Sequence, residues 1–314
     1  MKRTILLAFL VSGLALSASA QEPQASRTAQ QQTATTPDNT VENVIVTEPR
    51  LRSEKALNNF IITHAAATPL LDKIARWKTG ICPITIGLPP KLALYVNQRI
   101  LRVAMAAGAP LARGETCHPN IAVLATAEPQ KVLDFVRAKR PALLGFHYRP
   151  QRERLATMKL AVQAWYSTAT EDFNGMISGD LPSGDLGYGL MSGRGEVGTY
   201  ATSGSRLGNG LKSEFTASII LVDVNKITGQ EIGPLADYIA MLAISQGQSY
   251  DMCQSVPTIT NLMAPNCEAD MKPAAITDVD MTYLRGLYRM RPDGNLYAER
   301  GSIAFEMKKD LGGY

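Results

Sequence analysis

Phe215-Thr216-Ala217-Ser218-Ile219-Ile220-Leu221-Val222-Asp223 is the clearest strand in the chain, and Leu235-Ala236-Asp237-Tyr238-Ile239-Ala240-Met241-Leu242-Ala243, which follows it, reads as a helix. The first run is largely apolar and contains Ile219, Ile220 and Val222, as expected of a strand. The second carries apolar side chains on every turn, so a helix is predicted over 233–243 with Leu235, Ile239, Met241 and Leu242 in the core. Asp237 interrupts it and is expected to contact neighbouring backbone or an arginine.

Outward from this pair, strands and helices mix. Pro90 opens and Gly108 closes a helix over 90–107, on which Leu94, Ile100, Leu101 and Met105 share a broad face. Short strands are expected at 84–88, 120–126 and 162–170, the last containing Trp165 and Tyr166. A helix over 128–139 places Val132, Leu133 and Val136 on one side, and 57–74 is helical in part. Thr277, with Asp280 three residues on, approximates a capping box for a helix over 277–288. Arg149, Arg152, Glu153 and Arg154 are mixed in sign and read as a solvated loop; the Gly/Ser-rich tract 178–210 reads as a long surface loop or hairpin region. The class these elements define is α+β (mixed α/β), a twisted mixed sheet packed with helices.

The start of the chain is a cleavable secretory leader, residues 1–20. Lys2 and Arg3 precede an apolar stretch at 5–16, and Ser17-Ala18-Ser19-Ala20 supplies the small residues of a cleavage site. That stretch is shorter than the ~20 residues that span a bilayer, and none later is longer, so the mature chain is expected to have no transmembrane segment. Residues 21–50 are rich in Gln, Thr, Ala and Pro and read as a disordered linker, with one short strand-like segment, Val41-Glu42-Asn43-Val44-Ile45-Val46-Thr47, ended by Pro49. Residues 51–314 then form a single domain. Loss of Lys2 and Arg3 takes the formal net charge from +4 to +2, too little to argue for a nucleic-acid partner. The four cysteines, in an oxidising compartment, are expected to form two disulfides rather than a metal site, since no C-x-x-C occurs. Cys82–Cys117 and Cys253–Cys267 is the favoured pairing of the three, because each pair brackets one local unit. The expected location is the periplasm or the outside of a Gram-negative cell.

After the strand and helix come Pro257-Thr258-Ile259-Thr260-Asn261-Leu262-Met263, then Ile276-Thr277-Asp278-Val279-Asp280-Met281 and Tyr283-Leu284-Arg285-Gly286-Leu287-Tyr288. This order resembles the zincin metallopeptidases, the metzincin-like branch above all, and exported bacterial proteins that share their layout. In those proteins a strand precedes a helix bearing H-E-x-x-H-x-x-G, then a methionine-containing turn, then a closing helix. The resemblance implies a zincin-like domain in which Ala236 and Ala240 take the histidine positions, Asp237 the position of the general base, Ala243 that of the glycine, and Met263 falls in the turn. Alanine cannot ligate zinc, which needs two histidines at i and i+4 on one helical face. No histidine or suitable carboxylate follows until Glu268, and His64, His118 and His147 lie upstream without ligand spacing. The resemblance therefore implies a domain with no metal or other cofactor, not an enzyme, that acts through binding. The partner implied is an extended peptide or envelope protein, added to the strand at Phe215, Ile219 and Leu221 beside the helix.

Two other readings compete. Segment 41–50 resembles the opening of TonB-dependent outer-membrane receptors, which implies docking to a TonB-like or outer-membrane partner; the plainer reading is an edge strand of its own domain. A hydrolase of another class would draw on the glycine-rich tract with Asp185 or Ser205, but no G-x-S-x-G, P-loop or G-x-G-x-x-G occurs, and Gly193-Arg194-Gly195 reads as turn chemistry. Ser203 lies in the same tract with no histidine near it. The pairs Glu171/Asp172 and Asp278/Asp280 read as surface carboxylates.

Overall fold

The computed structural model describes residues 54–114, 117–145, 147, 149–180, 200–204, 208–247 and 252–312. The leader, the linker with its strand-like segment 41–50, Asp185, Gly193-Arg194-Gly195 and Ser205 lie outside the described residues. In chain order the elements are α1 (Glu54–His64), β1 (Pro83–Ile86), α2 (Pro90–Ala107), β2 (Ile121–Thr126), α3 (Pro129–Lys139), α4 (Arg149–Leu155), β3 (Val162–Glu171), β4 (Ile177–Gly179), β5 (Lys212–Asp223), α5 (Ile232–Ile244), α6 (Asp278–Arg289) and α7 (Leu296–Asp310). Short 3-10 turns occur at Pro141–Leu144, Ile259–Met263 and Ala269–Met271.

The sheet order is β1-β2-β5-β3-β4. β1, β2 and β5 run parallel; β3 is antiparallel to β5, and β4 antiparallel to β3. The mixed sheet and helices give the α+β class expected. β5 lies inside the sheet, and its side chains alternate between two cores. Phe215, Ile220 and Val222 pack with α2, α5 and α6, whereas Leu221 joins Leu133, Val136, Leu144 and Trp165 on the opposite face. Burial on both faces is the reason the strand reads as a continuous apolar run.

The expectation of a peptide-binding edge at Phe215, Ile219 and Leu221 is corrected by this topology. Ile219 pairs with Ala122 of β2 and Trp165 of β3; Leu221 pairs with Leu124 and Gln163. Phe215 pairs with Thr168 and donates its N–H to the Arg76 carbonyl at 3.1 Å. No edge is left there for an added strand. The basic run at 149–155, expected as a loop, is the short helix α4.

Local chemistry explains most boundaries. Pro90 begins α2, and Gly108 ends it at φ 81° with its N–H on the Ala104 and Met105 carbonyls. The capping box of α6 forms in both directions between Thr277 and Asp280. Gly145, at φ 76°, lies so close to β3 that a Cβ there would stand 2.0 Å from the Tyr166 carbonyl oxygen. It brings the turn before α4 against the outer side of that strand.

The two disulfides are the pair expected. Cys82–Cys117 ties the start of β1 to the segment before β2, and Cys253–Cys267 closes the loop that holds the Ile259–Met263 turn, with Cα separations of 6.1 and 5.1 Å. By loop length alone, removing the first should cost about 4 kcal/mol and the second about 3 kcal/mol. Urea unfolding of the Cys82→Ala/Cys117→Ala and Cys253→Ala/Cys267→Ala variants should show losses in that order.

Candidate functional site

Helix α5 is buried from Leu235 to Ile244. Ala236 and Ala240 are 0 % exposed, and Met263 is half-buried against the same core. A helix end inside a protein leaves carbonyls without partners unless something donates to them. Here Tyr166 Oη donates to the Leu242 carbonyl at 2.8 Å, Trp77 Nε1 to Ala243 at 3.0 Å and Tyr288 Oη to Ile244 at 2.8 Å. Ser245 Oγ donates to the Met241 carbonyl at 2.8 Å.

Asp237 holds the one charge on this helix, and it is fully engaged. Arg99 of α2 binds both carboxylate oxygens, through Nε to Oδ1 and through Nη2 to Oδ2 at 2.8 Å. Oδ2 also accepts the Ile276 N–H at 2.8 Å. The hydrogen bond to Asp237 raises the Arg99 pKa further above its ordinary value. The carboxylate therefore joins α2, α5 and the entry to α6, as a fork-on-fork pair does, and has no lone pair turned to solvent.

Beneath α5 the Ile259–Met263 turn rests on a buried polar seam. His64 Nδ1 lies 2.8 Å from the Phe60 carbonyl, which can only accept, so Nδ1 carries the proton. Nε2 is 2.9 Å from Thr260 Oγ1, Thr260 Oγ1 is 3.0 Å from Thr258 Oγ1, and Thr258 donates to Asp280 Oδ1. Asp280 Oδ2 accepts from Ile259 N, Thr277 N and Thr277 Oγ1 at 2.8 to 2.9 Å. Burial pushes the Asp280 carboxyl up against the pull of these donors and pushes the His64 imidazole down to about 4.

Two cavities open elsewhere. The larger, about 420 Å³, lies between the α6–α7 connection and residues Thr202, Ser203, Gly208 and Asn209, with Lys73 and Asn295 also in its wall. Lys73 donates to the Gly294 carbonyl and stands 3.9 Å from the fully buried Glu299, whose pKa burial raises to about 7. Ser203 Oγ donates to the Gly208 carbonyl at 2.7 Å, a turn contact with no general base on it. The smaller, a groove of about 310 Å³, is lined by His147, Arg154, Ala164, Trp165 and Gln246 among others. Among the described residues neither Trp165 Nε1 nor Gln246 Oε1 has a hydrogen-bond partner, and both atoms are closed to solvent. Burial, aided by the charge of Arg152, pushes the His147 pKa down to about 4.

The structure thus separates the three histidines. His64 is a core residue, His147 lines the groove, and His118 follows Cys117 at the surface. Among the described residues, no group of three or more His, Cys, Asp or Glu side chains is arranged to hold a metal ion. Sequence reasoning missed the groove, because Trp165 and Gln246 are 81 positions from each other and nothing but the fold brings them together. No protein-family model, curated protein or solved structure matches this chain.

Two expectations follow. Asp237→Asn leaves Arg99 without its partner and should cost about 3 kcal/mol by urea unfolding, the lower end for a broken buried pair because Arg99 keeps 27 % of its side chain exposed. His64 has a folded pKa of about 4 against 6.5 for the free residue. The unfolded chain therefore binds the proton more tightly, so this stability is complete above pH 6.5 and lost as pH falls through 4, by about 3 kcal/mol in all. Unfolding free energy measured from pH 7 to 3.5 should fall along that course in the native chain, and the His64→Phe variant should lack this component.

Proposed function

We propose that the protein is an exported, non-catalytic domain of zincin-like layout that acts through binding in the cell envelope. The observation that carries this reading is the state of the three positions the layout reserves for zinc chemistry. Ala236 and Ala240 have no exposed surface, and Asp237 is held by Arg99 and the Ile276 N–H. A general base must reach a water or substrate proton, and this carboxylate reaches neither.

The order of parts supports the layout itself. Strand β5 is followed by the buried helix α5, a turn packed against that helix, and the capped helix α6. In the extended metzincin pattern a third ligand stands ten residues after the first histidine. Counted from Ala236, that position is Gln246, which lines the smaller groove. On this reading the groove is what remains of a cleft, and the binding surface lies there rather than between β5 and α5. Two disulfides fit a compartment outside the reducing cytoplasm, and among the described residues no helix is long and apolar enough to cross a membrane.

Elemental analysis of the purified mature protein, with a generic peptidase assay beside it, tests the proposal. The expected result is no stoichiometric zinc and no cleavage; one zinc per molecule with turnover would overturn it. Installing the missing pair as Ala236→His/Ala240→His should not create a zinc site. Two imidazoles placed in a core with no free volume should instead lower stability by several kcal/mol, of the order of 1–3 kcal/mol for each overpacked site, read as a drop in melting temperature.

A further inference from the structure

Among the described residues, no strand pairs with the outer edge of β3 where it borders the groove at Ala164. The Asp223 N–H donates to the Ala161 carbonyl at 2.9 Å, and Gln163 and Trp165 stand opposite Leu221 and Ile219. In an antiparallel ladder hydrogen-bonding residues alternate, so the main-chain groups of Gln163 and Trp165 point to β5 and those of Ala164 point away from it. β4 does not pair with β3 until Ala169. Among the described residues, no strand covers the edge at Ala164, and Ala164 is half-buried in the groove wall.

Three further observations converge on the same place. An indole donor, Trp165 Nε1, and an amide acceptor, Gln246 Oε1, lie buried without partners. Native proteins seldom leave such groups orphaned, and both atoms are closed to solvent, so they lie behind the groove wall and not on its open surface. Arg154 lines the groove and makes no ion pair among the described residues, while its neighbour Glu153 is turned to Arg137. Among the described residues that line the groove none is a carboxylate, and burial pushes the His147 pKa down to about 4, so Arg154 is the charged group that these residues present.

We infer that this groove binds an extended peptide segment of a partner protein, main chain paired with β3 at Ala164 and a carboxylate of the segment on Arg154. The inference rests on the binding role proposed above and names its ligand class. Strand addition supplies main-chain hydrogen bonds that tolerate many sequences. An edge this short supplies few of them, so affinity depends on the charge-assisted pair with Arg154. The carboxylate comes from the C-terminus of the segment or from an Asp or Glu side chain within it; the chemistry at Arg154 is the same.

The test is selection of short random peptides on the mature, disulfide-intact protein, followed by titration of the enriched sequences. Each is titrated as the free acid, as the C-terminal amide, with its acidic side chains changed to amides, and with alternate main-chain nitrogens methylated. Methylation and the Arg154→Gln variant should each weaken binding roughly tenfold or more. Weakening by terminal amidation assigns the carboxylate to a C-terminus; weakening by side-chain replacement assigns it to Asp or Glu. A 15N–1H spectrum gives a local readout, since the protein has two tryptophans. The Trp165 indole signal should move on peptide addition, whereas that of Trp77, already bonded to the Ala243 carbonyl, should not. Arg154 is exposed, so an unchanged melting temperature verifies that Arg154→Gln still folds. No enrichment over the Arg154→Gln variant, or peptides that bind equally well when methylated, overturns the inference and leaves the account of the closed α5 positions standing. Stoichiometric zinc would overturn that account and leave the peptide titrations to be judged on their own.

Discussion

Burial of α5 on every side is the constraint on which the rest of this structure depends. A helix apolar all round is stable only when other elements surround it. Its last carbonyls must still be satisfied, and an orphaned one inside a protein costs about 1–3 kcal/mol. Three ring donors from three different places meet this need: Tyr166 from β3, Trp77 from the segment before β1, and Tyr288 from α6. Each can donate only if its own element is in position. Satisfying one helix end therefore fixes the sheet, the segment beneath it and the closing helix relative to one another.

The polar groups that remain inside do similar work. Asp237 joins two helices and a loop through Arg99 and the Ile276 N–H, and Asp280 gathers the turn and the start of α6 through four donors. His64 extends that seam to α1 through Thr260. In a low-dielectric interior such groups are costly unless fully paired, and when paired they permit few alternative arrangements. The seam is therefore best understood as structural, and the chemistry a helix with histidines would offer at the same place has no room in it.

Function has to be sought where bonding is unfinished. Inside the sheet both edges of β5 are used; among the described residues no strand covers β3 at Ala164, beside a groove lined by an arginine that makes no ion pair among those residues. An uncovered strand edge is a standing template for another polypeptide. The short exposed length and the bend of the backbone at Gly145 limit what can pair there, which would let this edge be selective without being sticky.

Most of the elements were legible in the sequence, because their signals are local, though α7 and the short strand β4 were not among those expected. Pro90 and Gly108 bound α2, Thr277 and Asp280 form the capping box, and the apolar run of β5 declares a strand. The disulfide partners were legible too, since each pair brackets one unit. Asp237 is legible as a contact for an arginine, though the sequence does not say which one. Strand order was not legible: nothing in Phe215, Ile219 or Leu221 says whether β3 returns to cover their free edge, and β3 does. The helix α4 was hidden by its charges, which are those of a loop. The groove was invisible for a related reason. Its residues come from five separate stretches, and an orphaned indole or amide exists only once packing has removed the water that would have satisfied it. Sequence by itself determined most of the helices and strands and which cysteines meet; tertiary structure alone decided how the strands pair, because pairing between strands depends on contacts the polypeptide makes only after it has folded back on itself.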